Sequence, residues 1–122
     1  MEESLLLRQI PHSVEAEQSV LGAMLNDARC IPDVIEALHP EDFYLKTNRE
    51  IYETIYAMFN FSATIDPVTV LDQMKQRGVY DENTSRNYLL QLMEITPTAA
   101  NVKEYVRIVK DKALLRRIAE TA

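Results

Sequence analysis

The stretch "KTNREIYETIYAMFNF", residues 46–61, decides the fold class. Ile51, Ile55, Met58 and Phe59 recur three and four residues apart, and Tyr52 and Tyr56 widen the stripe they make. That is the period of a helix with one face in an apolar interior, not the two-residue alternation of a strand. Thr47 and Glu50 stand three apart just ahead of the stripe, the spacing of a capping box, so Thr47 is expected to cap this helix.

Working outward, "IDPVTVLDQMKQRGV" (residues 65–79) carries both ends of a helix. Asp66 caps, Pro67 takes the first turn, and Gly78 closes in the left-handed region with Val79 packing back onto Met74. "SRNYLLQLMEI" (residues 85–95) predicts another helix, capped by Ser85 or Thr84, with Leu89, Leu92 and Met93 inward and Pro97 as its stop. Toward the N-terminus, "PHSVEAEQSVLGAML" (residues 11–25) opens on Ser13 as N-cap. Glu15 and Glu17 lie in its first turn, where acids suit the helix dipole. Val14, Leu21 and Leu25, flanked by Val20 and Met24, form its apolar stripe. "PDVIEAL" predicts a short helix with Pro32 in its first turn, and "HPEDFY" a single tight turn with Phe43 and Tyr44 inward.

The last stretch, "TPTAANVKEYVRIVKDKALLRRIAETA" (residues 96–122), reads as a long helix capped by Thr98. One strip holds Val102, Tyr105, Val109 and Lys112, with Val106 and Ala113 alongside. A second runs Ile108, Leu115, Ile118. One strip can seal a bundle. The other then needs a partner, and a helix this long is expected to leave the body beyond about Tyr105. The expected architecture is therefore all-α: a compact orthogonal bundle of about six helices over residues 1–97, followed by a protruding helix over residues 98–122.

Composition agrees. The chain has 122 residues, 47% hydrophobic and 26% charged, with only two glycines, fewer than a β-rich or loop-rich fold of this size uses. The single cysteine, Cys30, excludes an internal disulfide, and no Cys/His cluster has zinc spacing. No apolar run approaches ~18 residues, so a cytoplasmic location is expected. The formal charge of −6 hides an asymmetry. Residues 1–97 hold seven basic and sixteen acidic side chains; residues 98–122 hold six basic and three acidic. An acidic body repels phosphate, so little direct DNA binding is expected. The basic tail either touches a nucleic-acid backbone or complements the negative end of its own helix through Lys110, Lys112, Arg116 and Arg117.

The sequence offers little for catalysis. It has neither G-x-x-x-x-G-K-[ST] nor G-x-G-x-x-G to cradle phosphate. His12 and His39 each sit beside a proline, and the adjacent Glu41 and Asp42 diverge by about 100° on a helical turn. Cofactor and metal sites are expected to be absent, and the segment is not expected to be an enzyme by itself.

Five blocks in order carry a resemblance: "PHSVEAEQSVLGAML", "PEDFY", "IDPVTVLDQMKQRG", "YLLQL" and "TPTAANVKEYVRIVKDKALLRRI". Together they look like the N-terminal domain of the bacterial replicative DNA helicase, the DnaB family. The likeness spans nearly the whole chain. One departure is that the family usually has a Gly-Gly pair before "YL", where Thr84 and Ser85 stand here; a polar N-cap can replace the pair.

The resemblance implies an all-helical head followed by a helical hairpin, of which residues 98–122 would be the first arm. It also implies a RecA-like ATPase domain outside this chain, where ATP and Mg²⁺ would bind. Heads and hairpins would pair as dimers and three dimers form a collar, making a hexamer that docks primase and takes part in loading, with the helicase loader as a further partner. The dimer face would fall on Val102, Tyr105, Val106, Val109 and Ala113. Glu15 and Tyr88 match positions near the primase-docking surface. Read from the residues alone, Glu15 is equally a first-turn dipole acid and Tyr88 a core aromatic. The other class of reading is a free-standing phage or plasmid adaptor that mimics this collar.

Overall fold

The computed structural model describes residues 10–121. Its described part contains six α-helices: α1 (Val14–Asn26), α2 (Ile31–Ala37), α3 (Lys46–Asn60), α4 (Pro67–Gln76), α5 (Ser85–Ile95) and α6 (Val102–Thr121). Short 3-10 turns at Ala28–Cys30 and Pro40–Asp42 join the first three. No strand occurs among the described residues.

α1 is the axis of the domain. It packs mainly on α5 and α6 and also touches α3. Ala16, Glu17 and every residue from Val20 to Leu25 are buried, a wider band than the predicted stripe, because helices cover α1 on several sides. Val14, placed in the stripe by its spacing, is only half-buried. Against α5 the approach is closest at Gly22, where an added Cβ would lie 2.3 Å from the Leu92 carbonyl oxygen. One turn further on, Asn26 Nδ2 donates to Met93 O (2.8 Å) and Thr96 O (2.6 Å), satisfying carbonyls that the end of α5 leaves open.

The core continues through Ile31, Leu38, Phe43, Ile51, Tyr52, Ile55, Leu89 and Leu92, all at most 1% exposed. Tyr52 stacks on Phe43 at 4.5 Å, and its hydroxyl donates to Leu38 O at 2.9 Å, so the ring is buried without an orphaned polar tip. Burial accordingly raises the Tyr52 phenol above its ordinary range.

Several predicted ends are in place. Ser13 Oγ accepts from Ala16 N. Asp66 accepts from Thr69 N while Thr69 Oγ1 accepts from Asp66 N, a reciprocal box with Pro67 in the first turn. Gly78 has φ +74°, and the bonds Val79 N to Met74 O and Gly78 N to Lys75 O form the double-bonded left-handed cap. α5 departs from this: Thr84 takes the N-cap position but neither it nor Ser85 makes a side-chain capping bond; Ser85 Oγ instead accepts from Asp81 N, and Asp81 Oδ1 accepts from Asn83 N and Thr84 N. These side-chain bonds shape the turn at residues 81–85.

Others differ. α3 begins at Lys46 with Leu45 as its N-cap, so Thr47 already lies inside the helix and no Thr47–Glu50 box forms. α6 begins at Val102, not after Thr98; Thr98 Oγ1 instead accepts from Ala100 N within a turn.

The largest difference is the placement of α6. It does not leave the body beyond Tyr105. Val102, Val106, Val109 and Ala113 are 7%, 9%, 2% and 1% exposed, and Tyr105 is half-buried against the core. A bundle ending near Pro97 was expected to shield only the first turns of this helix. Instead α1 runs alongside α6 and covers its inner strip, with α2 adding contacts.

Candidate docking surface

Glu17 organises the polar interior. Its carboxylate is 1% exposed and accepts from Tyr44 N (2.7 Å), Leu45 N (3.3 Å) and Asn48 Nδ2 (3.0 Å). The start of α3 therefore meets an acid from another helix in place of the expected local box, as helix N-termini favour negative charge. Asn48, itself fully buried, accepts through Oδ1 from the Tyr88 hydroxyl, which in turn accepts from Gln18 Nε2 at 3.3 Å. Burial pushes the Tyr88 phenol above its usual value, and the bonds from Gln18 and to Asn48 pull the other way.

Tyr88 lines an open groove of ≈ 790 Å³ between α3, α4 and α5, whose walls include Leu45, Ile51, Met74, Val79 and Tyr80. Lys75 lies over the Tyr80 ring at 4.9 Å. Tyr88 is thus half-buried with a bonded hydroxyl, and it lines an accessible groove. Glu15 is exposed elsewhere, beside a smaller hollow of ≈ 240 Å³ with Ile95, Tyr105 and Ile108. The two candidate docking residues therefore line different depressions.

The five residues assigned to a dimer face need correction. Val102, Val106, Val109 and Ala113 are covered by the chain's own helices, and Tyr105 largely so. They seal the head. On α6 the large apolar side chains at the surface are Leu114 (51% exposed), Leu115 (48%) and Ile118 (56%), with Ile108 half-buried. The large apolar side chains that α6 exposes are thus confined to its last turns. In the first half of the helix the corresponding surface carries Arg107, ion-paired to Glu104 and Asp111.

In the basic tail, Arg116 and Arg117 reach back to the body of the domain. Arg116 donates to Pro11 O (2.8 Å) and Asp42 O (2.6 Å), and its guanidinium lies 5.3 Å from the Tyr44 ring centre. Arg117 pairs with Asp42 Oδ1 at 3.0 Å. Asp42 is 4% exposed and its other oxygen accepts from His39 N. The last turns of α6 are thereby clasped to the segment at residues 39–45. His12 stacks on Tyr44 at 4.4 Å.

Glu17, Asn48 and Asp42 were missed as organising residues. Glu17 left a signal: with Val20, Leu21 and Met24 it falls at positions 1, 4, 5 and 8 of one helical stripe, so an acid occupied a core position. Asn48 left none, because its partners lie 31 and 40 residues away in sequence, and Asp42's bond to His39 N is local but its pairing with Arg117 spans 75 residues. Among the described residues no three His, Cys, Asp or Glu side chains are grouped to hold a metal ion. Nor is any described helix long and apolar enough to cross a membrane.

Residues 9–111 match the model of the DnaB-like helicase N-terminal domain. Among curated relatives, the replicative DNA helicase DnaB of Mycobacterium leprae is 41% identical over 93% of this chain and that of Leifsonia xyli 37% over 93%. The Geobacillus stearothermophilus DnaB is 38% identical over 92%. The chain spans only 19–25% of the length of these proteins. The crystal structure of the N-terminal domain of DnaB helicase from Mycobacterium tuberculosis superposes with a TM-score of 0.86 at 41% identity, covering 92% of this chain and 80% of that one. The corresponding domain from Helicobacter pylori, described with its interactions with primase, shares the fold with a TM-score of 0.73 at 21% identity, over 99% of this chain and 92% of that one. With residues 9–111 matched by the family model and 41% identity to a curated member over 93% of its length, the chain belongs to the DnaB-like helicase N-terminal domain family.

Proposed function

We propose that this chain is the assembly and docking domain of a hexameric replicative DNA helicase and is not itself catalytic. The observation that carries this is the match of residues 9–111 to the helicase N-terminal domain, supported by 41% identity to a solved member with a TM-score of 0.86. Continuous likeness over 93% of the chain favours this over the free-standing adaptor. In this reading ATP and Mg²⁺ bind a RecA-like domain outside the chain, and the whole protein works in the cytoplasm at the nucleoid. The helicase loader is a further partner.

Two surfaces suit the two tasks. The Tyr88 groove, flanked by apolar residues, receives primase, with Glu15, beside its own smaller hollow, as a separate second contact. The exposed Leu114 and Leu115 pair with further helical structure or with another subunit. Direct DNA contact is minor, because Arg107, Arg116 and Arg117 are already engaged within the chain.

The test is a binding titration of the 122-residue chain with purified primase from the same bacterium, beside Tyr88→Ala and Glu15→Ala. Binding weakened tenfold or more by Tyr88→Ala, with the melting transition retained, is the expected result. Binding that neither substitution changes would overturn the assignment of the surface.

A further inference from the structure

The bonds around Glu17 join two places that the proposed function keeps separate. On one side lies the groove: Tyr88 donates to Asn48, and Asn48 donates to Glu17. On the other side lies the end of α6: Glu17 accepts from Tyr44 N and Leu45 N, and this same segment carries Asp42 and the Tyr44 ring, on which Arg116 and Arg117 rest. From the groove to α6 there is one series of polar contacts, joined at its middle by the main chain of residues 42–45, and its members Glu17, Asn48 and Asp42 are each at most 4% exposed.

We propose that Glu17 is the positioning residue of a coupling device, through which events at the Tyr88 groove alter how firmly the last turns of α6 are held. The reason is that a buried carboxylate holding three N–H donors has no water to take up slack. If Asn48 turns away when its bond from Tyr88 is lost, one of Glu17's three donors goes with it. The two main-chain amides of Tyr44 and Leu45 then stand on a less constrained acid. A shift of that segment moves Asp42 O, Asp42 Oδ1 and the Tyr44 ring together, which are three of the contacts clasping Arg116 and Arg117. Coupling between two sites is reciprocal, so loosening the clasp changes the setting of Tyr88 to the same extent. The consequence for the domain is that a partner engaging the Tyr88 hydroxyl alters the surface presented by Leu114 and Leu115, which lie two and one residues ahead of Arg116.

This rests on reading the groove as a docking surface, but its test needs no partner, so failure of coupling and failure of docking are seen separately. Amide hydrogen exchange of residues 113–120 is measured in the 122-residue chain and in Tyr88→Phe, Glu17→Gln and Arg117→Ala. The ring resonance of Tyr88 is followed by ¹³C-tyrosine NMR, with Val68→Ala, a change at a 76% exposed site on α4, as control. Expected is exchange faster by about threefold or more at residues 113–120 in Tyr88→Phe and in Glu17→Gln, a Tyr88 ring shift in Arg117→Ala, and neither in Val68→Ala. Tyr88→Phe keeps the ring and removes only the hydroxyl, so the fold is retained where Glu17→Gln fails. The proposal is overturned if Tyr88→Phe leaves exchange at residues 113–120 unchanged, or if Arg117→Ala leaves the Tyr88 ring resonance in place.

Discussion

Gly22→Ala sets helix propensity against close packing, and the structure says packing wins. In a helix interior alanine is favoured over glycine by about 0.8–1 kcal/mol, so an isolated helix would be stabilised. Here the new methyl would sit 2.3 Å from the Leu92 carbonyl oxygen, 3.2 Å from its carbon and 3.4 Å from Thr96 Cβ. The nearest of these is main chain and cannot rotate away, so the α1 and α5 backbones must separate by about 1 Å to restore an ordinary contact. Overpacking of this kind costs about 1–3 kcal/mol. The same displacement stretches Asn26 Nδ2 from Met93 O and Thr96 O, each bond being worth about 0.5–1.5 kcal/mol. It also opens a gap beside Leu89 and Leu92, where a gap of roughly 0.5–1 Å forfeits a quarter to a half of each contact's attraction. Against the propensity gain the net is a destabilisation of about 2–4 kcal/mol, a fall in Tm on the order of 10 °C for a domain of this size. Gly78→Ala is the comparison. Nothing lies within 4 Å of an added methyl there, and only the φ of +74° is strained, so the cost is about 1 kcal/mol. Thermal and urea melts followed at 222 nm decide the matter. Gly22→Ala as stable as wild type would show that α1 and α5 slide apart freely, and the close-approach account would be wrong.

Three further outcomes are expected. Val109→Asp, at 2% exposure, should cost about 3–5 kcal/mol or abolish folding, while Leu115→Asp, at 48% exposure, should leave the melt within about 0.5 kcal/mol and weaken any self-association seen by analytical ultracentrifugation. The reverse ranking would return Val109 to a partner-facing strip. The Cys30 thiol is pushed up to about 11, by burial first and by the Asp27 charge second. Because the folded value is raised, the fold holds this proton more tightly than the unfolded chain does, so the contribution to stability is present below about pH 8.5–9 and lost as pH rises toward 11. Urea midpoints from pH 8 to 11 should fall less steeply in Cys30→Ala, and equal slopes would contradict the assignment. Single-stranded DNA should bind more weakly than micromolar at physiological salt, since tight binding needs several free phosphate-contacting cations; a sub-micromolar Kd by fluorescence anisotropy would refute this.

What could be read in the sequence was what local chemistry specifies. The box at Asp66, Pro67 and Thr69 and the Gly78 cap are completed within four or five residues, so α4 is legible from its own segment. α3 was legible as a helix from its stripe, but its start was not, because Glu17, 28 residues before Leu45, accepts from the backbone there. A capping box at Thr47 and Glu50 is a local alternative that loses to this buried tertiary contact. The inner strip of α6 was identified correctly as apolar. Its partner was not, because a period of three and four says that a face is buried without saying against what. Cover by α1 and α2, with Arg116 and Arg117 reaching Pro11 and Asp42 across 74 to 105 residues, is a property of the assembled fold.

One of the segments that together carry the family resemblance, "EAEQSVLG", shows how closely a stretch can be constrained by packing alone. Glu17 holds the start of α3, Gln18 reaches Tyr88, Val20 and Leu21 are fully buried, and Gly22 admits the α5 backbone. Ala16 is 3% exposed and leaves little room for a longer side chain. Each of these demands a particular residue type: an acceptor-only acid at 17, a donor at 18, branched hydrocarbons at 20 and 21, no side chain at 22. A stretch this constrained invites a search for a reaction centre, yet every constraint points inward, toward the setting of α3, α5 and the segment that clasps α6. Under the proposed function, the partner contacts lie on what these residues position, the walls of the Tyr88 groove and the outer turns of α6. Substitutions along α1 should therefore act on docking and on pairing together, through the fold, whereas substitutions at Val79, Tyr80 or Leu114 should separate the two.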